Sequence, residues 1–125
     1  MGALAGNVGG AIDETVAILE ELAARRVPLY ALSNWSAETW PHARRRFAFL
    51  DRFDGLVISG FEGTAKPEPE IFHRLLDRYE LAPARTVFFD DVEANVEAAR
   101  RAGLQAHRYL DAASLRDRLR TLGLL

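Results

Sequence analysis

Residues 86–91 read Thr-Val-Phe-Phe-Asp-Asp, an apolar run that ends in two adjacent carboxylates. A short, continuous apolar run of this kind is typical of a buried strand in a parallel sheet. A helical pattern follows at once, so the two acids lie at the carboxyl end of the predicted strand. Ligands of open α/β sheets bind just beyond these ends, which makes Asp90 and Asp91 candidates for a site. Two adjacent acids also repel each other, and a bound cation would relieve that repulsion.

Strand and helix patterns alternate along the rest of the chain. Residues 27–32 and 56–59 are further apolar segments of strand length, and residues 105–109 are predicted as a weaker strand. Amphipathic segments lie between and after them. This alternation predicts an α/β fold, a three-layer, Rossmann-like arrangement in which helices cover both faces of a parallel sheet. Residues 1–10 contain four glycines and little periodicity, so they are expected to be an irregular lead-in to a core domain over residues 11–125.

The composition excludes several classes of protein. The chain has 125 residues, the size of one domain, with 49% hydrophobic residues and a net charge of -2, which gives no indication of a nucleic-acid partner. It has no cysteine, and its three histidines are far apart in the sequence. No apolar run approaches the ~20 residues of a membrane span, and no signal-peptide pattern is present. We therefore expect a cytoplasmic protein with no membrane partner.

Polar residues follow three of the predicted strands. Ser33 and Asn34 follow the first, Lys66 lies in the loop after the second, and Asp90 ends the third beside Asp91. The carboxyl ends of parallel strands meet at one edge of a sheet, so these groups are expected to converge. A hydroxyl, an ammonium group and two carboxylates suit a phosphate group with Mg²⁺. Each feature alone also has a simpler interpretation, as a helix cap or a surface lysine.

Three motifs together resemble a known family. Leu-Ser-Asn at 32–34, Lys-Pro-Glu-Pro-Glu-Ile-Phe at 66–72 and Phe-Phe-Asp-Asp-Val-Glu-Ala-Asn-Val-Glu-Ala-Ala at 88–99 are similar to motifs of the haloacid dehalogenase-like (HAD) hydrolases. The similarity is nearest to the subgroup that contains the phosphatase domain of soluble epoxide hydrolase. It implies an Mg²⁺-dependent phosphatase with a small phosphorylated substrate.

The resemblance also implies residue roles. It implies catalytic roles for Lys66 and Asp90 and an Mg²⁺-binding role for Asp91. The residues that it implies in substrate binding are Ser33, Asn34 and Asn95.

The chain departs from the family in its first motif. The family has Asp-x-Asp-Gly on a central strand, where the first Asp is the nucleophile, and this chain has no such sequence. The helical cap that follows the motif in family members is also missing.

The expected fold is therefore a HAD-like core without the first-motif strand, which would leave a gap between the strands at 28–32 and 86–90. Direct pairing of the two edges, entry of residues 3–8 as a makeshift strand, or a strand from another chain could fill the gap. The last option predicts a homo-oligomer, with strand exchange as one form of it.

Three functional hypotheses follow. The first is a HAD hydrolase in shortened or mis-started form, inactive alone because the nucleophile is missing. The second is a natural pseudoenzyme that keeps a phosphate-binding or protein-binding surface. The third, a receiver-like domain, is disfavoured because its acid pair comes on the first strand and its lysine last. In either of the first two cases Mg²⁺ binding is expected to be weak or absent.

Overall fold

The computed structural model describes residues 3–6, 13–46 and 52–125. Five strands occur in this part of the chain: β1 (Ala3–Gly6), β2 (Leu29–Ser33), β3 (Gly55–Ile58), β4 (Thr86–Asp90) and β5 (Gln105–Arg108). The helices are α1 (Asp13–Ala24), α2 (Trp40–Arg46), α3 (Ser59–Glu62), α4 (Pro69–Arg78), α5 (Glu93–Arg101) and α6 (Ala112–Thr121).

The strands form one parallel sheet in the order β3-β2-β1-β4-β5. The α/β class and the parallel sheet predicted from the sequence are confirmed. The prediction of an irregular lead-in is wrong for residues 3–6, which form β1 at the centre of the sheet. The other residues of the predicted lead-in lie outside the described part of the chain.

Strand β1 fills the gap that the sequence left open. It pairs with β2 through Leu4 and Leu29, and with β4 through Leu4 and Val87, so both inner strands have backbone partners. Of the three ways to close the gap, the structure shows the makeshift strand. Only residues 7–12 separate β1 from α1, too few for a helical cap.

Gly6 allows β1 and β4 to lie close together. A β-carbon at Gly6 would lie 2.7 Å from the main-chain oxygen of Phe89, closer than non-bonded atoms approach. Because glycine has no β-carbon, the two backbones can pair at this position. The glycine content that suggested an irregular segment is therefore compatible with a strand here.

The two faces of the sheet carry separate hydrophobic cores. Helices α4 and α5 cover one face, where Phe72 packs edge-on against Phe88 of β4. Helices α1 and α6 cover the other face, where Leu22 and Leu119 pack with Phe89. Adjacent residues of β4 thus point into opposite cores, as the pleat of a strand requires. Both cores hold β4 rigidly, and β4 ends at Asp90.

None of the helices in the described ranges combines the length and the apolar composition that crossing a bilayer requires.

Candidate functional site at the carboxyl edge of the sheet

The candidate site lies where the strand order reverses. From β1, the chain adds β2 and β3 on one side of the sheet and then β4 and β5 on the other side. The connections after β1 and β4 therefore diverge, which leaves a crevice at the carboxyl ends of these two strands. Ser33 is the last residue of β2 and Asp90 the last of β4. This reversal is the usual ligand position in open α/β sheets.

The central feature of the site is a buried ion pair between Lys66 and Asp90. Lys66 Nζ lies 2.7 Å from Asp90 Oδ2, and the two side chains are 2% and 0% exposed. Residues 63–68, which carry Lys66 over the sheet, connect α3 to α4. Removing two charges from water is unfavourable unless each finds a close partner, which both have here.

Asp90 accepts two further hydrogen bonds. The side-chain amide of Asn95 donates to Oδ2 at 3.2 Å, and the main-chain N–H of Val92 donates to Oδ1 at 2.9 Å. Both donors stand on the segment from the end of β4 into α5. Well-directed donors fix the orientation of a carboxylate. Asp90 is therefore held in one orientation by three hydrogen bonds.

Lys66 is a cation in an apolar setting. Burial lowers the pKa of Lys66 from its ordinary value, while the charge and hydrogen bond of Asp90 and the charge of Asp91 oppose this shift. The Nζ atom also lies 5.9 Å from the centre of the Phe88 ring. An ammonium group has three N–H donors and Asp90 takes one, so the others can bind an anion.

Asn34 positions the loop that carries Lys66. Its Nδ2 donates to the main-chain oxygen of Lys66 at 3.1 Å, and its Oδ1 accepts from the main-chain N–H of Lys66 at 3.0 Å. The peptide bond between Lys66 and Pro67 is cis. The side-chain amide of Asn34 is therefore bonded to protein on both sides. It links the end of β2 to the lysine.

Ser33 and Asp91 differ in their surroundings. Ser33 is buried, and its hydroxyl has no hydrogen-bond partner among the described residues. Asp91 is exposed, and within the same ranges its carboxylate forms no ion pair. Its main-chain oxygen accepts a bond from Arg108 Nε at 3.3 Å. Both residues stand at the carboxyl edge, as the sequence predicted, and each has side-chain bonding capacity left for a ligand.

The acids of the site do not form a complete metal site. The two oxygens of Asp90 already accept three hydrogen bonds, so Asp91 has the only uncommitted carboxylate of the pair. Within the described ranges, no three histidine, aspartate or glutamate residues are grouped to hold a metal ion. Mg²⁺ prefers six oxygens and often takes several from water and a bound phosphate. The side chains present do not fit Mg²⁺ without such additional oxygens.

Strand β1 is not followed by an aspartate. The sequence continues with Asn7, Val8, Gly9 and Gly10, and residues 7–12 lie outside the described part of the chain. The strand therefore fills the central position of the sheet without bringing the Asp-x-Asp-Gly motif. The sequence predicts that the nucleophile is missing. The presence of β1 does not change this prediction, because no aspartate directly follows the strand.

One contribution to the site was not predicted, and one buried residue near it in the sequence was also missed. The main-chain N–H of Val92 is one of the donors to Asp90, two residues after it, and this spacing in an Asp-Asp-Val turn is the signal that could have indicated it. Thr64 is buried close to Lys66 in sequence, and its Oγ1 has no hydrogen-bond partner among the described residues. Nothing in the local sequence distinguishes Thr64 from an ordinary loop residue.

Comparison with known proteins identifies similar sequences and folds. A family model described as hydrolase, haloacid dehalogenase-like hydrolase, matches residues 5–103. A sesquiterpene phosphatase from Aspergillus oryzae is 31% identical over 105 residues, which make up 84% of this chain and 54% of that protein. Bifunctional epoxide hydrolase 2 from Sus scrofa is 33% identical over 75 residues, 58% of this chain and 14% of that protein.

A solved structure has the same fold. A HAD family enzyme from Bacteroides thetaiotaomicron, crystallised with magnesium and inorganic phosphate, is 28% identical, with a TM-score of 0.69. The match covers 79% of this chain and 56% of the other. The chain thus spans about half, or less, of the length of these relatives. The matches confirm the resemblance that the three sequence motifs indicated.

Proposed function

The chain belongs to the haloacid dehalogenase-like hydrolases, and we propose that it binds the phosphate group of a small phosphorylated molecule at the Lys66–Asp90 site without hydrolysing it alone. The buried ion pair supports this proposal most directly. It holds an ammonium group with free N–H donors at the sheet edge where ligands bind. An ion pair that only stabilised the fold could lie anywhere in the core and would not need to lie at this ligand-binding edge.

The proposed phosphate site combines four side chains. Lys66 offers N–H donors and positive charge. The Ser33 hydroxyl, which has no partner in the described part of the chain, offers another donor at the end of β2. Asp90 orients Lys66, and Asn34 fixes the main chain that carries it. Charge-assisted hydrogen bonds of this kind are the strongest that a protein makes to phosphate oxygens. The names of a phosphatase relative and of a phosphate-bound neighbour also support a phosphate ligand.

Asn95 and Asp91 have indirect roles in this proposal. Asn95 stabilises Asp90 and in that way acts on the substrate through Lys66. Asp91 is the proposed Mg²⁺ ligand, with phosphate and water oxygens supplying the rest of the shell. Since one protein carboxylate is a weak site by itself, we expect Mg²⁺ to bind weakly and only together with phosphate.

The same geometry argues against turnover by this chain. Aspartyl-phosphate chemistry needs a carboxylate free to attack the phosphorus. Asp90 is buried and its oxygens are occupied by Lys66, Asn95 and the N–H of Val92. Losing an attacking group lowers kcat by several orders of magnitude. We therefore propose phosphate recognition in place of hydrolysis, whether the chain is a natural pseudoenzyme or part of a hydrolase.

The experiment measures binding and hydrolysis on the same protein. Inorganic phosphate with Mg²⁺ is titrated while the NMR signals of the Val92 amide and the Asn95 side-chain amide are followed, and hydrolysis of p-nitrophenyl phosphate is assayed in parallel. We expect these signals to shift in the wild type and much less in Ser33→Ala, with no hydrolysis above background. The control is Thr121→Ala, which removes an exposed hydroxyl group of α6.

Either of two results contradicts the proposal. Hydrolysis above background that disappears in Asp91→Ala would show that the chain is an active phosphatase. Signals that do not shift at millimolar phosphate would show that the ion pair is structural only.

A homo-oligomer also remains a proposal. The sequence suggested one because a partner could supply the central strand, and β1 now occupies that place. What supports association is the pair of edge strands β3 and β5, whose outer backbone groups can pair with another chain. Light scattering decides the question. A mass of one chain at high protein concentration would contradict an oligomer.

A further inference from the structure

A cavity lies at the edge of the sheet, beside β5. It has a volume of about 370 Å³ and lies between the end of β5 and helix α6. The polar residues that line it are Arg100, His107, Arg108, Ser114 and Arg118. Its β4 residue, Phe89, belongs to the core on the α1 and α6 face, opposite the core that contains Phe88. The cavity therefore differs in position from the Lys66–Asp90 site.

The residues that line the cavity carry an excess of positive charge. Three arginines line the cavity and no aspartate or glutamate does. In the described ranges, the one ion pair of Arg100 is with Glu93, where Nη1 and Oε1 are 3.9 Å apart. Among the described residues, neither Arg108 nor Arg118 forms an ion pair. Like charges held around one cavity repel each other, and a bound anion would remove that repulsion.

Two of the guanidinium groups are fixed by the main chain. Arg100 Nε donates to the main-chain oxygen of Ala106 at 3.1 Å, and Arg108 Nε donates to that of Asp91 at 3.3 Å. Each bond uses one donor and leaves the terminal nitrogens of the guanidinium for a ligand. An arginine held in this way loses less side-chain entropy when it binds an oxyanion.

His107 provides an independent indication of a ligand. Its Nε2 is buried and has no hydrogen-bond partner among the described residues. A buried nitrogen without a partner is unfavourable, and a ligand in the cavity would supply one. The pKa of His107 lies below its ordinary value because of burial and, to a smaller extent, because Arg118 and Arg100 repel a charged imidazole. The arginines thus create a positive potential at the imidazole ring.

The remaining walls of the cavity are largely apolar. Phe89, Leu110 and Leu115 line it together with the ring of Tyr109. A bare inorganic ion would leave these walls without a partner. The volume lies near the lower end of the range for small-molecule sites, about 300–1,000 Å³. The lining suits a compact organic body that carries one anionic group.

We propose that this cavity binds a small organic anion, whose phosphate or carboxylate group contacts Arg100, Arg108 and Arg118 and whose apolar part packs on Phe89 and Leu115. His107 and Ser114 supply hydrogen bonds to the anionic group. The site is separate from the phosphate site proposed above and does not depend on it.

The test compares two anions and two arginine variants by NMR. Phenyl phosphate and benzoate present the same ring with either anionic group, and the amide signals of Ser114 and Leu115 report on this cavity. Signals of Val92 and Asn95 report separately on the Lys66–Asp90 site. Arg118→Gln removes a lining guanidinium, and Arg120→Gln is the matched control, an exposed arginine on the same helix.

We expect at least one of the two anions to shift Ser114 and Leu115, with roughly tenfold weaker binding in Arg118→Gln and unchanged binding in Arg120→Gln. The tighter binder identifies the anionic group. If Arg118→Gln does not fold, Arg108→Gln replaces it. Signals that do not shift with either anion at millimolar concentration, or equal binding by both variants, would overturn the proposal.

Discussion

Lys66 and Asp90 form a buried ion pair, and among the described residues neither forms an ion pair with any other side chain. Lys66→Met would leave the Asp90 carboxylate buried with only the amides of Asn95 and Val92. Removing one member of a buried ion pair typically lowers the free energy of unfolding by about 3–5 kcal/mol. We expect a loss of this size, measured by urea denaturation.

Arg52→Met is the control for this substitution, since Arg52 pairs with Glu20 at the surface. An exposed pair contributes about 1 kcal/mol or less, so the control should change stability little. Equal effects of the two substitutions would mean that Lys66 and Asp90 are not buried together.

His107 makes stability depend on pH. Its pKa is lowered in the folded chain by burial and by Arg118 and Arg100, whereas in the unfolded chain it has its ordinary value near 6.5. As the pH falls below that value, the unfolded chain binds the proton first. The free energy of unfolding therefore decreases as the pH falls from about 6.5. The decrease is complete once the pH is below the pKa of His107 in the folded chain.

We expect His107→Gln to remove this part of the pH dependence, measured by urea denaturation between neutral and mildly acidic pH in buffers without phosphate or carboxylate. His73→Gln, at an exposed position on α4, is the control. If the free energy of unfolding depends on pH equally in the wild type and in His107→Gln, His107 is not the source of this pH dependence.

At the scale of single elements, β1 gives the clearest contrast between sequence and structure. Strands β2, β3 and β4 could be predicted because each is an apolar run that ends in a polar or turn residue, and β5 is a weaker prediction from the alternation of strands and helices. Strand β1 is Ala-Leu-Ala-Gly, and alanine and glycine have low strand preference. Its conformation is imposed by β2 and β4, which pair with it from both sides. A local pattern cannot report such non-local pairing.

The two candidate sites also differ in how far the sequence could predict them. Ser33, Lys66 and Asp90 could be predicted because each follows a recognisable strand, and parallel strands bring their carboxyl ends together. The arginine-lined cavity joins side chains from α5, β5 and α6. The lining arginines of α5 and α6 stand close to other arginines in the sequence. In the sequence, Arg100 and Arg118 cannot be distinguished from Arg101 and Arg120.

The place of β1 in the sheet can be tested with one leucine. Leu4 is buried in the core on the α1 and α6 face, and replacing it with alanine leaves a cavity. We expect Leu4→Ala to lower the free energy of unfolding by about 2–5 kcal/mol. Leu110→Ala, at a leucine that is 68% exposed, should have little effect. If both changes are equally mild, residues 3–6 do not form a central strand.

At the scale of the whole molecule, ligand binding at the Lys66–Asp90 site should appear as thermal stability. A ligand that binds only the folded chain raises Tm by mass action. Asp91 places a negative charge beside the proposed phosphate, and Mg²⁺ would neutralise it. We expect phosphate and Mg²⁺ together to raise Tm more than the sum of their separate effects.

Asp91→Asn should change this pattern. Without the carboxylate, phosphate alone should raise Tm more than in the wild type, and Mg²⁺ should add little. Glu97→Gln removes an exposed acid of α5 and should behave like the wild type. A wild type in which the two ligands act independently would argue against Asp91 as the link between them.

Lys66 is the only lysine among the 16 lysine and arginine residues of the chain. Its Nζ is paired with Asp90, and an acylating reagent reacts only with a neutral amine. Modification of Lys66 therefore requires the ion pair to separate, and its rate measures how often that separation occurs. Acylation of this chain thus reports on one side chain at the proposed phosphate site, and phosphate bound there should slow the reaction.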